Sequence, residues 1–201
     1  NAFKNYRKKY INYFNKNRKK VKEKKTMLDT SPRVILVQNV GLFTVGDSLG
    51  AAKIAGDLTE TNARVISSVE ETSKYKFIPE KDIFDVEYWS LEQAKIKKPK
   101  KELQGNVVVI TGSSGAIGSA TYKIFKRYGA EVVLLDYNLK KVKQMQSKVN
   151  DLCIHCDVRD KSSVNRAFKF ICEKYGGIDI LISNAGTAIG GSIAEVDDKI
   201  L

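Results

Sequence analysis

Histidine occurs once in 201 residues, tryptophan once, and cysteine and proline three times each. One histidine, His155, cannot supply the imidazole set of a zinc enzyme, so no metal site is expected. Three cysteines without framework spacing do not make a disulfide-stapled secreted domain, and they fit a reducing cytoplasm. Two of them form Cys153-Ile154-His155-Cys156. On a strand those sulfurs lie roughly 10 Å apart on opposite faces, too far for a disulfide. No apolar run reaches the ~20 residues of a membrane span, and no secretory leader is visible, so no membrane partner is expected.

Acidic residues are scarce at the amino terminus. Residues 1–33 carry 12 Lys/Arg against Glu23 and Asp29, which accounts for most of the net charge of +12. Basic residues interleaved with Tyr6, Tyr10, Tyr13 and Phe14 are one way to build a nucleic-acid surface. Against this, Phe3, Tyr6, Tyr10, Tyr13, Phe14 and Val21 recur at roughly helical steps. That spacing predicts a helix with an aromatic core face and a solvated basic face, and no specific nucleic-acid partner.

Glycine is abundant where it matters. Thr111-Gly-Ser-Ser-Gly-Ala-Ile-Gly118 lies between an apolar strand, Val107-Val108-Val109-Ile110, and a helical pattern with Ile117, Ala120, Ile124 and Tyr128. Strand, glycine loop and helix together bring backbone N–H groups and a helix start onto a pyrophosphate. A second strand follows, ending at Asp136, 18 positions after Gly118. An acid about 20 residues on is expected to hold the adenosine ribose hydroxyls and to repel a 2′-phosphate, favouring NAD over NADP.

The alternation continues. Residues 139–149 read as helix, with Val142, Met145 and Val149 on one face, and 152–158 as a third strand. Residues 160–175 read as a third helix, with Val164, Ala167, Phe168, Ile171 and Tyr175 inward and Cys172 buried, and 178–183 as a fourth strand. A fourth helix is expected to start near Ser192 or Glu195. Alternating strands and helices predict an α/β doubly wound parallel sheet of Rossmann type, strand order 3-2-1-4.

These residues resemble the short-chain dehydrogenases/reductases. The family's Thr-Gly-x-x-x-Gly-x-Gly pattern is met by Thr111, Gly112, Gly115 and Gly118, its Asp-Val pair by Asp157-Val158, and its Asn-Ala-Gly by Asn184-Ala185-Gly186. Ser114, where NADP-preferring members carry a basic residue, agrees with NAD. The resemblance implies that Asp157 contacts the adenine amino group and that Asn184-Ala185-Gly186 lie beside the nicotinamide ribose. The candidate NAD-binding residues are Gly112, Ser113, Ser114, Gly115, Ala116, Ile117, Gly118, Asp136, Tyr137, Cys156, Asp157, Val158, Asn184, Ala185 and Gly186. The family's chemistry also needs a Ser, a Tyr and a Lys, with Tyr and Lys four apart on a later helix. No such set follows Gly186, so no catalytic residue is assigned. Tyr122, Tyr128 and Tyr175 are read as packing residues. The chain is expected to be a fragment holding part of a cofactor site without turning over alone. The resemblance also implies a homo-oligomer in the full-length protein.

Upstream, Ser31 to Val37 reads as a strand, Leu42-Phe43 as a turn between Gly41 and Gly46, and 48–70 as a long helix with Ile54, Ala55, Leu58, Val65, Ile66 and Val69 apolar. Pro32 to Val37, Gly41-Leu42-Phe43, Ala55-Gly56-Asp57-Leu58 and Glu87 to Lys95 resemble the end of a class II aldolase/adducin-type domain. The order resembles bifunctional proteins joining a rhamnulose-phosphate aldolase to a short-chain dehydrogenase. The expected organisation is 1–96 for the carboxyl portion of the aldolase-like domain with its basic helix, 97–103 for a linker and 104–201 for the truncated Rossmann domain. That fusion implies deoxysugar breakdown, with hydride passing between NAD and a small alcohol or aldehyde, lactaldehyde by implication. The alternative is a non-catalytic dinucleotide-binding or scaffold module.

Overall fold

The computed structural model describes residues 1–95, 99–145 and 151–187, in two units that divide between Lys100 and Lys101. Val149 and the helix expected near Ser192 or Glu195 lie outside the described residues.

In the first unit, α1 (Ala2–Arg18) buries Phe14 and packs with α3 (Glu80–Glu87). Phe14, Phe84 and Tyr88 form the core, with Tyr10, Tyr13, Val21 and Leu28 against it. The aromatic stripe therefore has a protein partner, although Phe3 and Tyr6 at its outer end remain exposed. Glu87 accepts from the Tyr10 and Tyr13 hydroxyls at 2.6 and 2.9 Å. Desolvation of those hydroxyls, and then Glu87, push both tyrosine pKa values up.

A hairpin joins β1 (Val34–Val37) and β2 (Gly41–Thr44), with Val37 opposite Gly41. Leu42 and Phe43 are strand residues, not the turn. The reversal is at Gln38–Val40, where Asn39 takes φ +60°, a left-handed conformation asparagine tolerates. α2 (Leu49–Thr72) starts at Ser48, whose hydroxyl accepts from the Ala51 N–H. It runs as the apolar pattern predicts but has no fully buried residue, and Ile54, Leu58 and Val65 face outward. α4 (Ser90–Lys95) is the last described helix of the unit.

The second unit holds a parallel sheet of order β5-β4-β3-β6, the predicted 3-2-1-4. The strands are β3 (Val107–Thr111), β4 (Glu131–Asp136), β5 (Leu152–His155) and β6 (Ile180–Ile182). Among the described residues its helices are α5 (Ala116–Arg127), α6 (Leu139–Met145) and α7 (Lys161–Tyr175). Side chains alternate across the sheet. Val107, Val109, Val133 and Leu135 pack with Ala167 and Ile171 of α7. Val108, Ile110, Val132 and Leu134 pack with Tyr122 of α5 and Val142 of α6. Cys156 sits in the first cluster and Cys153 against the second, on opposite faces as their spacing requires.

Three expectations change. The third and fourth strands are shorter than 152–158 and 178–183, because the chain turns at Cys156–Asp160 to begin α7 and enters β6 after Asp179 bonds the Val107 N–H. Cys172 is exposed, one step round the helix from the buried Ile171. Ile117, Ile124 and Tyr128 are exposed, while Gly118 and Tyr122 are the buried positions of α5 and Phe125 packs inward. Tyr128 is thus not a core residue, whereas Tyr122 and Tyr175 are packed.

Candidate functional site

The carboxyl ends of β3, β4, β5 and β6 carry the predicted residues, and the loop after β3 organises them. Gly112 takes φ +60°, and a Cβ there would meet the Ala185 backbone at 2.7 Å. A Cβ on Gly118 would collide with the Gly112 carbonyl oxygen, the Ser113 Cα at 2.8 Å and the Asn184 amide nitrogen at 3.0 Å. Both positions need glycine because the loop, α5 and the segment after β6 meet here. Gly115 is different: its Cβ would meet only the Gly112 oxygen, at 3.4 Å.

Asn184 closes the cluster. Its side-chain amide donates to the carbonyls of Thr111 and Gly112 at 3.0 and 3.1 Å. The Thr111 hydroxyl accepts from the N–H groups of Asn184 and Ala185, both at 3.0 Å. Ser113 is fully buried, and its N–H and hydroxyl both donate to the Leu135 carbonyl. Ser113 and Asn184 thereby fix the loop's shape.

Asp136 ends β4 and is 8% exposed. One carboxylate oxygen accepts from the Ser114 N–H at 2.8 Å, the other from the Asn138 N–H at 2.8 Å. The acid is tied to the glycine loop and keeps lone pairs for a ligand hydroxyl.

Asp157 and Val158 follow β5. The Asp157 N–H donates to the Ser163 hydroxyl at 3.1 Å. Its carboxylate is gripped by Arg159 at 2.8 and 3.0 Å, and that guanidinium holds its pKa down at about 2. Tyr137 is exposed, its ring 5.5 Å from the His155 ring and 5.9 Å from the Arg159 guanidinium carbon. Cys156 is buried, and burial pushes its thiol pKa up. Gly186 is open, with nothing near where a Cβ would stand.

The site therefore forms two groups. Gly112 to Gly118 meet Asn184 and Ala185 over β3 and β6, and Asp136, Tyr137, Asp157 and Val158 line the ends of β4 and β5. Arg159 and Ser163 are not among the residues predicted from the sequence. The only trace of Arg159's role was its place two residues after Asp157.

The residues fit an anionic dinucleotide. Gly115 stands at the N-cap of α5 and has no side chain to cap it. The first N–H groups of a helix have no intrahelical partner, and with the helix dipole they favour a phosphate.

Comparison with known proteins gives the family. Residues 106–200 match the family model described as short chain dehydrogenase. This part of the chain belongs to the short-chain dehydrogenases. Residues 1–96 match the model for aldolase class II, second domain. An uncharacterized oxidoreductase, YuxG of Bacillus subtilis (strain 168), is 30% identical over 199 residues, covering 94% of this chain and 28% of that protein. The short-chain dehydrogenase reductase 3b of Arabidopsis thaliana is 37% identical over 89 residues, covering 43% of this chain and 35% of the relative. A solved short-chain dehydrogenase/reductase (glucose/ribitol dehydrogenase) of Brucella melitensis aligns at 27% identity and TM-score 0.46, over 50% of this chain and 45% of that one. The chain thus spans about a third or less of these two curated relatives. Among the described residues no helix is long and apolar enough to cross a membrane.

Proposed function

We propose that this chain carries the adenosine–pyrophosphate half of an NAD-dependent oxidoreductase that moves hydride between NAD and a small alcohol or aldehyde. The observation that carries the reading is the buried Asp136 carboxylate, tied to the glycine loop through the Ser114 N–H. Gly112, Ser113, Ser114, Gly115 and the α5 start at Ala116, Ile117 and Gly118 hold the pyrophosphate. Asp136 takes the ribose hydroxyls, Tyr137, Cys156, Asp157 and Val158 surround the base, and Asn184, Ala185 and Gly186 adjoin the nicotinamide ribose. When bound, the dinucleotide supplies the hydride chemistry. These residues bind and orient it.

The aldolase-type match over residues 1–96 supports lactaldehyde, from deoxysugar cleavage, as the aldehyde. The same match and the dehydrogenase match over 106–200 support boundaries at 96 and 104. The free cysteines support a cytoplasmic location. The reading includes homo-oligomerisation of the full-length protein.

The test is a fluorescence titration with NADH and NADPH, on the wild-type chain and on Asp136→Asn. Asparagine keeps an oxygen for the Ser114 N–H while removing the charge. Wild type should bind NADH at least about ten-fold more tightly, since a 2′-phosphate beside a carboxylate costs more than 1.4 kcal/mol. The variant should bind NADPH more tightly than wild type does. Equal affinities in wild type would remove the cofactor assignment.

A further inference from the structure

β5 lies beside β4, with Asp136 opposite His155. A base attached to a ribose held at Asp136 reaches the end of β5, one strand spacing or about 5 Å away. Three side chains wait there: Tyr137, Asp157 and Arg159. The Arg159 fork is closed on Asp157, Nε donating to Oδ1 at 3.0 Å and Nη2 to Oδ2 at 2.8 Å. The Arg159 backbone N–H also donates to Oδ1 at 3.0 Å. A carboxylate has about four acceptor positions, so one remains, and an ionised acid accepts only. A guanidinium has five N–H donors, of which Asp157 takes two. The pair therefore presents an acceptor and unspent donors side by side, over the Tyr137 ring.

We infer that Arg159 sets base specificity: paired with Asp157, it lets the site take 6-amino and 6-oxo purine dinucleotides with little preference between them. The inference rests on the dinucleotide reading above. A 6-amino group donates to the free position on Asp157. A 6-oxo group accepts from Arg159 instead. Without Arg159 the carboxylate stands alone, welcomes the amino group and repels the carbonyl. The Arg159 side chain is 80% exposed, so its pairing is weak enough, about 1.5- to 5-fold, to open as a base arrives.

The experiment titrates the 201-residue chain and its Arg159→Gln variant with two probes, NADH and reduced nicotinamide hypoxanthine dinucleotide. The readout is the ratio of the two dissociation constants. A fold defect would weaken both ligands together and leave that ratio unmoved. Wild type should hold the two within about three-fold, and the variant should favour NADH by about ten-fold or more, the discrimination of a well-placed base contact. An unchanged ratio in the variant overturns the inference and leaves the dinucleotide reading standing. A wild-type chain that already prefers NADH ten-fold overturns it as well. Saturable binding of neither probe by wild type overturns both.

Discussion

Gly118 and Gly115 are two turns of phrase in the same sequence pattern, but their surroundings differ. A methyl at Gly118 collides with backbone on two sides, and backbone cannot step aside as a side-chain tip can. Gly118→Ala should cost about 1–3 kcal/mol of stability and abolish nucleotide binding, as read by thermal melting and NADH titration. Gly115→Ala should cost at most about 1 kcal/mol, the penalty of a poorer helix cap. A second residue-scale case is Tyr122, whose buried hydroxyl donates to Asp151 at 2.5 Å while Lys126 bonds the other oxygen at 2.7 Å. Burial, then Asp151, push the Tyr122 pKa up, and burial raises Tyr175 to about 12. The folded chain keeps protons that the unfolded chain releases near pH 10, so stability is intact below pH 10 and falls as pH rises past it. Tyr122→Phe should lower stability at neutral pH by about 1.5–3 kcal/mol, the worth of a hydrogen bond to a charged group. It should also flatten the alkaline decline in chemical denaturation measured from pH 9 to 11. At this scale the sequence placed Gly112, Gly118 and Asp136 at the ends of β3 and β4, because the strand–loop–helix pattern and the spacing to the next strand are read along the chain. Arg159 was not legible, because its partners Tyr137 and Asp157 come together only when β4 and β5 lie side by side.

At the scale of elements, periodicity located the helices better than it oriented them. α5 is apolar on two sides, and the inward side is chosen by Gly118, which lets the helix approach the loop, rather than by the larger Ile117 and Ile124. α7 carries both the buried Ile171 and the exposed Cys172 one residue apart. Its start is secured by Asp160, which accepts from the Ser162 N–H, and its end by Gly176 at φ +82°. In the native chain one thiol, Cys172, should react at once with a water-soluble disulfide reagent. Cys153 and Cys156, with thiol pKa values raised by burial, should react only on unfolding. Prompt reaction of all three would contradict this placement of α7 and β5. Strand lengths were over-read because apolar character continues past the paired residues, as at Ile178, which packs against the core outside the β6 ladder.

At the scale of the whole molecule, burial is unevenly shared between the units. Every residue of β3 is buried, whereas α2 buries none and β1 and β2 expose Val34, Leu36 and Phe43. Amide hydrogen exchange should be slowest in β3 and β4 and faster by orders of magnitude in α2 and its hairpin, because protection follows buried apolar contact. Comparable protection in both would contradict that ranking. The alternation of strands and helices made the sheet order legible. The loose first unit was harder to read, since a hairpin and one long helix satisfy an apolar pattern without enclosing it. The Thr111 hydroxyl adds a matter of timing. It is joined to Asn184 and Ala185, 73 and 74 residues later in the chain. Contacts of such separation form only after the intervening loop is closed, and chains emerge from the ribosome amino terminus first. The glycine loop is therefore synthesised long before it can be shaped, and a nascent chain acquires its grip on a nucleotide only once Ala185 has cleared the exit tunnel.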